Sequence, residues 1–313
     1  MKIIIIDKVH EYLPSELQKL GFDVADMQNI EAKDVTSYLP DFQGIVIRSK
    51  IKLTAEILSN LPNLKFIARV GAGMESIDVE FAEKQGIKLI NAPEGNRDSV
   101  GEHALGMILN LFNKICSANL QVKSGIWQRE PNRGIELMGK TVGIIGYGNM
   151  GGAFARRLSG FGVNVISYDK YKTNYSDGFT KEVNLDDIFE QTDILSLHVP
   201  LQDDTFYMID NEFIGKFKKP FYIINTARGK NIKTDDLVEN LKSGKILGAA
   251  LDVLEYEKVS FETLSIQNNP AIEYLQNAEN VILTPHVAGL TFDSNLKLAQ
   301  VIVKKILNYT TNA

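Results

Sequence analysis

The sequence has a single cysteine, Cys116, among its 313 residues. A disulfide within the chain is therefore excluded, and no paired Cys and His spacing predicts zinc or any other bound metal. Because the neighbours of Cys116 are apolar at helical spacing, we expect its thiol to be a small buried hydrophobic group.

An excess of basic residues and long apolar runs are also missing. The formal net charge is −5, which argues against a nucleic-acid partner because no basic surplus exists to neutralise a phosphate backbone. The N-terminal apolar run covers only Ile3 to Ile6 and is followed by Asp7 and Lys8, so it is too short for a membrane span or a signal peptide. We therefore expect a cytoplasmic protein without a membrane partner.

The chain is long enough for two domains, and apolar strands alternate with helices throughout. The predicted strands are residues 2–7, 22–27, 44–49, 64–70, 88–91, 141–146, 163–168, 194–199, 221–226, 246–252 and 281–283. This alternation predicts an α/β fold with two doubly wound parallel-sheet domains. A long helix over about Val100–Ser124 would connect them, and a final amphipathic helix, Leu290–Tyr309, would pack back onto the first domain. The predicted domains are therefore 1–98 plus 288–313, and 99–287.

Residues 141–169 read as a strand, a glycine turn, a helix and a second strand that ends in an acid. Gly146 allows a tight turn, Gly148 lets backbone amides approach a pyrophosphate, and Gly151 lets the helix pack closely on the sheet. Asp169 follows Gly146 by 23 residues, where a carboxylate accepts both ribose hydroxyls and repels a 2′-phosphate. The pattern predicts a Rossmann domain that binds NAD rather than NADP. The cofactor-binding candidates here are Gly146, Tyr147, Gly148, Asn149, Met150, Gly151 and Asp169.

Three further segments follow predicted strands of the second domain: Asn-Thr-Ala-Arg-Gly at 225–229, Ala-Leu-Asp-Val-Leu-Glu-Tyr-Glu at 250–257 and Leu-Thr-Pro-His-Val-Ala-Gly at 283–289. Together with the glycine turn and His-Val-Pro-Leu at 198–201, they resemble the D-isomer-specific 2-hydroxyacid dehydrogenases over nearly the whole chain. The resemblance implies a flavodoxin-like substrate-binding domain before the Rossmann NAD-binding domain.

The resemblance also implies a catalytic set of Arg228, Glu257 and His286. Arg228 would bind the substrate carboxylate and C2 oxygen, and His286 would exchange the hydroxyl proton. Glu257 would orient the imidazole; Glu255 competes for this role but lies on the opposite side of an extended chain. Asp252 would contact the nicotinamide carboxamide. The other implied cofactor contacts are His198, Val199, Pro200, Thr226, Ala227, His286 and Gly289.

Substrate groups are implied by turns and arginines outside this set. The segment Val-Gly-Ala-Gly at 70–73 resembles the family's carboxylate cradle, and three arginines match positions near the substrate phosphate in phosphoglycerate dehydrogenases. The substrate-binding candidates are Arg48, Ser49, Arg69, Val70, Gly71, Ala72, Gly73, Arg129 and Arg228.

One segment departs from the family. Lys258 stands where a proline is usual, and 28 residues separate Glu257 from His286. We expect the insertion, about 260–279, to fold onto the surface as a short helix. His103 and His10 are interpreted as structural residues.

The implied reaction is NAD-dependent oxidation of a D-2-hydroxyacid to its 2-keto acid. The favoured substrate is 3-phosphoglycerate, as in serine biosynthesis, with closure of the two domains on binding. The alternatives are a glyoxylate or hydroxypyruvate reductase and, in another class, an NAD-sensing corepressor-like binding protein. A formate dehydrogenase is disfavoured, because those enzymes have glutamine at the position that Glu257 occupies here. We expect a homodimer formed through the nucleotide domain. The resemblance is closest to phosphoglycerate dehydrogenases that lack a C-terminal regulatory domain, so we expect no feedback inhibition by serine.

Overall fold

A computed structural model describes residues 1–257 and 269–311 of the chain. Contacts divide it into two compact units, Met1–Arg97 with Leu290–Ala313 and Asp98–Gly289. The helix α4, Pro93–Asn113, contains the first boundary between these units.

Unit 1 is a five-stranded parallel sheet with helices on both faces. Its elements are β1 (Lys2–Ile5), α1 (Tyr12–Lys19), β2 (Asp23–Asp26), β3 (Gly44–Ile47), α2 (Ala55–Ser59), β4 (Phe66–Arg69), α3 (Val79–Lys84), β5 (Lys88–Asn91) and α11 (Phe292–Thr311). The strand order is β2-β1-β3-β4-β5. Successive residues of β1 enter opposite cores, Ile3 on one face and Ile4 on the other, because side chains of a strand alternate. The helix α11 packs against α1, β4 and β5.

Unit 2 contains a seven-stranded parallel sheet of order β12-β11-β10-β9-β6-β7-β8. Its elements are α5 (Ile115–Lys123), β6 (Thr141–Ile145), α6 (Asn149–Arg157), β7 (Asn164–Tyr168), β8 (Lys181–Glu182), α7 (Leu185–Gln191), β9 (Ile194–Leu197), α8 (Asn211–Lys216), β10 (Phe221–Asn225), α9 (Thr234–Ser243), β11 (Ile246–Leu251), α10 (Pro270–Asn277) and β12 (Val281–Leu283). The direction of strand order reverses between β6 and β9, and open α/β sheets bind ligands at the carboxyl ends of strands near such a point.

The two-domain α/β fold is confirmed, but two local predictions differ from the structure. The single helix predicted over Val100–Ser124 is wrong, because Lys114 takes a left-handed φ of 51° and separates α4 from α5. Cys116 is exposed, since it lies on α5, which has no buried residue, so its predicted burial is also wrong. The two-residue strand β8 has no counterpart among the predicted strands.

The predicted insertion falls partly outside the described residues, which resume at Asn269. Its second half forms α10, whose Asn269 cap accepts the backbone N–H groups of Ala271 and Ile272 at 3.0 and 3.3 Å. Ile272 and Leu275 are buried in the core of unit 2. A short helix is therefore present, but it contributes to the core rather than lying on the surface.

Within the described ranges, no helix is long and apolar enough to cross a membrane. The same residues contain no group of three or more His, Cys, Asp or Glu side chains arranged to hold a metal ion.

Candidate active site

The turn that follows β6 has a geometry that only glycine satisfies at two positions. Gly146 has a φ of +93°, and a Cβ on it would lie 2.6 Å from the carbonyl oxygen of His198. A Cβ on Gly151 would lie 2.1 Å from the carbonyl oxygen of Gly146. By contrast, a Cβ on Gly148 would meet no atom of the described residues within 4 Å. The turn is thus tightly packed on the protein side and open above Gly148, at the N-terminus of α6, as a pyrophosphate cradle requires.

Asp169 lies directly beside this turn. Its Oδ2 accepts the backbone N–H of Tyr147 at 2.8 Å, and its Oδ1 accepts those of Tyr171 and Lys172 at 3.0 and 3.2 Å. Three backbone donors therefore fix the carboxylate where the adenosine ribose of a dinucleotide would lie. The glycine turn and this acid together fit a bound NAD.

Tyr147 connects the turn to the segment after β7. Its hydroxyl donates to Asp177 Oδ2 at 2.9 Å, and its ring stacks on Tyr175 with the centroids 5.2 Å apart. Burial and the bond to Asp177 raise the pKa of Tyr147 well above its usual value, so the phenol stays neutral. The neighbouring candidates, Asn149 and Met150, form the first turn of α6.

The other predicted cofactor residues lie after strands on one side of β6 in the sheet. Val199 and Pro200 follow β9, Thr226 and Ala227 follow β10, and Gly289 ends unit 2. His198 is placed differently from a simple cofactor contact: its Nε2 lies 2.9 Å from Ser196 Oγ and its ring packs on Phe154. Burial lowers the pKa of His198 to about 3, so the ring is neutral and its backbone carbonyl is what faces Gly146.

The backbone of Arg228 is held by two fully buried amide side chains. Asn231 Oδ1 accepts the N–H of Arg228 at 3.0 Å, and Asn225 Nδ2 donates to its carbonyl oxygen at 2.9 Å. Arg228 Nη1 donates to the carbonyl oxygen of Ala227 at 2.7 Å. Because the N–H and the carbonyl group of Arg228 are both hydrogen-bonded, its side chain extends from a rigid turn. Neither amide could be predicted from the sequence, since buried asparagines leave no periodic signal.

His286 and Glu257 form a direct pair. His286 Nδ1 lies 2.6 Å from Glu257 Oε2, and Glu257 Oε1 accepts the backbone N–H of Leu254 at 2.5 Å. The side chains of His286 and Glu257 are 24% and 12% exposed, so water screens the pair only partly. The carboxylate can therefore fix the tautomer with hydrogen on Nδ1 and stabilise the imidazolium, which assigns proton exchange to Nε2.

The competing acid, Glu255, has other partners. It accepts the hydroxyl hydrogen of Tyr207 and, at 3.0 Å, the backbone N–H of Thr234 at the start of α9. The bond to Glu255, together with burial, raises the pKa of Tyr207 to about 12. Glu255 therefore joins a loop to α9, while Glu257 is the acid that contacts the histidine.

Asp252 supports the loop that carries His286. The backbone N–H of His286 donates to the carbonyl oxygen of Asp252 at 2.7 Å, and those of Val287 and Ala288 donate to its two carboxylate oxygens, each at 2.9 Å. Thr284 Oγ1 donates to Oδ1 at 2.5 Å. In this structure the side chain of Asp252, 2% exposed, binds the loop of its own chain, a role that the sequence analysis did not include.

The substrate candidates of unit 1 occupy two turns. Buried Asp7 accepts the backbone N–H of Arg48 at 2.6 Å and that of Lys50 at 3.2 Å, which fixes the loop that contains Ser49. Four more candidates, Val70, Gly71, Ala72 and Gly73, follow β4. A Cβ on Gly71 would lie 1.4 Å from Nη1 of Arg69, so the guanidinium packs against the glycine backbone.

The candidates divide between the two units. Arg48, Ser49, Arg69 and residues 70–73 lie in unit 1, whereas Arg129, Arg228, Glu257 and His286 lie in unit 2. Arg129 precedes a short 3-10 helix, Glu130–Asn132, and is exposed. The catalytic candidates of unit 2 follow the neighbouring strands β10, β11 and β12.

Comparison with known proteins agrees with this geometry. Residues 105–288 match the NAD binding domain of the D-isomer specific 2-hydroxyacid dehydrogenases. A hydroxypyruvate reductase of Thermotoga maritima is 37% identical over 279 residues, which are 89% of this chain and 88% of that protein. A D-3-phosphoglycerate dehydrogenase of Archaeoglobus fulgidus is 34% identical over 310 residues, but the match covers 98% of this chain and only 57% of that protein.

A solved structure of a D-lactate dehydrogenase has the same fold over the whole of this chain. D-lactate dehydrogenase from Aquifex aeolicus, complexed with NAD and lactic acid, superimposes with a TM-score of 0.81 at 30% identity, covering all of this chain and 96% of that one.

Proposed function

The chain belongs to the D-isomer-specific 2-hydroxyacid dehydrogenase family, and from this premise we propose that it oxidises a D-2-hydroxyacid to the 2-keto acid, or runs the reverse reduction, with NAD as its cofactor. The observation that carries the proposal is the 2.6 Å contact between His286 Nδ1 and Glu257 Oε2. It supplies an oriented acid-base group on the loop after β12, in the same unit as the glycine turn.

In the proposed reaction, His286 removes the hydroxyl proton through Nε2 while the C2–H bond breaks and the carbonyl forms. The NAD that the glycine turn and Asp169 would hold would supply the acceptor for the C2 hydrogen as hydride. Glu257 stabilises the imidazolium that results, and in the reduction His286 returns the proton to the new hydroxyl oxygen. Arg228 binds the carboxylate and the C2 oxygen through its guanidinium, whose planar fork of donors matches a carboxylate.

For the substrate we favour 3-phosphoglycerate, because Arg48, Arg69 and Arg129 could supply the cations that a phosphate dianion requires. Relatives named D-3-phosphoglycerate dehydrogenase match nearly the whole of this chain, which supports that choice. Hydroxypyruvate or glyoxylate reduction is the second candidate, favoured by the relative that this chain matches over 88% of its length.

A panel assay separates these candidates. NADH oxidation would be followed at 340 nm with 3-phosphohydroxypyruvate, hydroxypyruvate, glyoxylate and pyruvate, and NAD reduction with 3-phosphoglycerate. The phosphorylated substrates should show the highest kcat/KM. A higher kcat/KM for hydroxypyruvate or glyoxylate would establish the second candidate, and no turnover of any 2-keto acid would contradict the proposed function.

The oligomer is proposed to be a homodimer formed through unit 2. The helix α5 has no buried residue, and large apolar side chains are exposed on it and in the segment that follows: Leu120 is 65% exposed, Trp127 78% and Met138 71%. Exposed apolar side chains of this size are typical of an interface, and a second copy would bury them. Light scattering should give twice the mass of the chain, and Leu120→Lys should lower it. A monomer at micromolar concentration would contradict the dimer.

A further inference from the structure

The loop that carries His286 has a backbone conformation that needs support. His286 has a left-handed φ of 55°, which is uncommon for a residue with a side chain. Such a conformation persists only where surrounding bonds enforce it. Asp252 supplies those bonds at His286 and directly after it, because its carbonyl oxygen accepts the N–H of His286 and its carboxylate accepts the next two N–H groups, of Val287 and Ala288.

The Asp252 carboxylate depends in turn on two side-chain partners. Burial raises the pKa of Asp252, but the hydrogen bonds that it accepts from His103, Thr284 and the loop lower it more, so the carboxylate is ionised. Thr284 has a single hydroxyl hydrogen, and the 2.5 Å contact of its Oγ1 with Oδ1 of the charged carboxylate uses it. Met107 Sδ, 3.9 Å from Thr284 Oγ1, has no hydrogen to donate, so Thr284 Oγ1 must accept a hydrogen from its remaining neighbour.

That neighbour is His103, in the middle of α4. Its Nε2 lies 3.0 Å from Thr284 Oγ1 and 3.5 Å from Asp252 Oδ1. The hydrogen count of Thr284 therefore requires His103 to donate from Nε2. A continuous chain of hydrogen bonds links α4 through Thr284 to the carboxylate of Asp252, which also accepts from the His286 loop; it spans 181 residues of sequence between His103 and Thr284.

We infer that His103 and Thr284 are positioning residues, which hold the catalytic loop so that His286 is correctly placed for proton transfer. Neither residue is assigned to substrate or cofactor binding. The inference rests on the proposed role of His286, and it adds that α4 controls the orientation of that histidine. A misplacement of about 1 Å in a reacting group can reduce turnover by roughly 100-fold, so the effect should be measurable.

Two matched pairs of variants test the inference in the full-length enzyme. His103→Leu and Thr284→Val remove the donors, whereas His103→Gln and Thr284→Ser keep a donor at a similar position. We expect kcat to fall by roughly 10- to 100-fold in the first pair and by less than about 3-fold in the second. In all four, the Kd for NADH from fluorescence titration and the KM for the keto acid should change by less than about 2-fold, because binding groups are untouched. The keto acid is 3-phosphohydroxypyruvate or hydroxypyruvate, whichever the wild type turns over faster.

The double variant His103→Leu/Thr284→Val should be no more than about 2-fold slower than the slower single variant, because both changes interrupt one chain of bonds. Thr180→Val is the matched control: it also removes the hydroxyl of a buried threonine, one that donates to Ser167 Oγ at 3.0 Å, and should leave kcat unchanged. Equal losses in kcat, NADH affinity and Tm, or no rescue by Gln and Ser, would overturn the inference.

His286→Ala separates this inference from the proposed function. If His286→Ala is inactive while His103→Leu and Thr284→Val have wild-type kcat, the positioning role alone is refuted. If His286→Ala itself has wild-type kcat, the proposed catalytic role fails and the positioning role with it.

Discussion

Replacement of Asp169 by serine should shift the cofactor preference towards NADPH. The carboxylate is fixed by the N–H groups of Tyr147, Tyr171 and Lys172, so it cannot turn away from a 2′-phosphate on the adenosine ribose. Two unit charges about 5 Å apart repel by roughly 1 to 3 kcal/mol between the dielectric limits of water and a protein surface. That energy corresponds to a preference of about 5- to 150-fold for NADH over NADPH in the wild type.

The variant should lose this repulsion, and the ammonium group of Lys172, which donates to the carbonyl oxygen of Tyr147 in the turn at 2.7 Å, would then favour the phosphate. The assay compares kcat/KM for NADH and NADPH at saturating keto acid in the wild type, Asp169→Ser and Asp186→Ser. The last variant removes an exposed carboxylate from the first turn of α7 and controls for net charge. Equal kcat/KM for both cofactors in the wild type, or the same ratio in wild type and Asp169→Ser, would refute the reasoning.

Three further changes have outcomes that follow from the same geometry. Gly151→Ala places a Cβ 2.1 Å from the carbonyl oxygen of Gly146, so the NADH Kd should rise at least about 10-fold in a fluorescence titration; an unchanged Kd would show that the turn adapts. In steady-state assays, Arg48→Ala should raise the KM for 3-phosphohydroxypyruvate more than the KM for hydroxypyruvate, whereas Arg228→Ala should impair turnover of both substrates. Equal effects of Arg48→Ala on the two KM values would argue against a phosphate site. The pKa of His198 is lowered to about 3 in the fold, so His198 binds a proton more readily in the unfolded chain. The free energy of unfolding should therefore fall by about 2 kcal/mol on this account as the pH is lowered from 6.5 to 5. Urea unfolding at these two pH values should show a smaller loss in His198→Gln, and an equal loss would contradict the burial of a neutral ring.

The sequence was sufficient to predict the parts of the site in which the backbone conformation restricts the residue type. Gly146 and Gly151 could be recognised because only glycine tolerates their contacts, and Asp169 because an acid at the end of the next strand has a fixed place relative to them. The strands were recognisable too, since buried parallel strands are continuous apolar runs such as Ile3 to Ile6.

The remaining parts depend on backbone geometry or distant contacts that the sequence does not indicate. The prediction for Cys116 was wrong: it assumed one uninterrupted helix, but Lys114 ends that regularity with a left-handed residue that no periodicity indicates. His103 was interpreted as structural because it lies within a helix, and its contacts with Asp252 and Thr284, which are remote in sequence, could not be predicted. The choice between the two glutamates needed the family spacing, and the structure shows the physical difference: Glu257 contacts His286, while Glu255 binds Tyr207 and α9.

The central claim is that His286, oriented by Glu257, transfers the proton in a dehydrogenase reaction. The most direct test is the kcat of His286→Ala for reduction of the best keto acid, measured together with its Kd for NADH. We predict a loss in kcat of roughly 10²- to 10⁴-fold with an NADH Kd within about 2-fold of the wild type, as expected for removal of a positioned acid-base group. A variant that retains wild-type kcat with NADH bound would contradict the account.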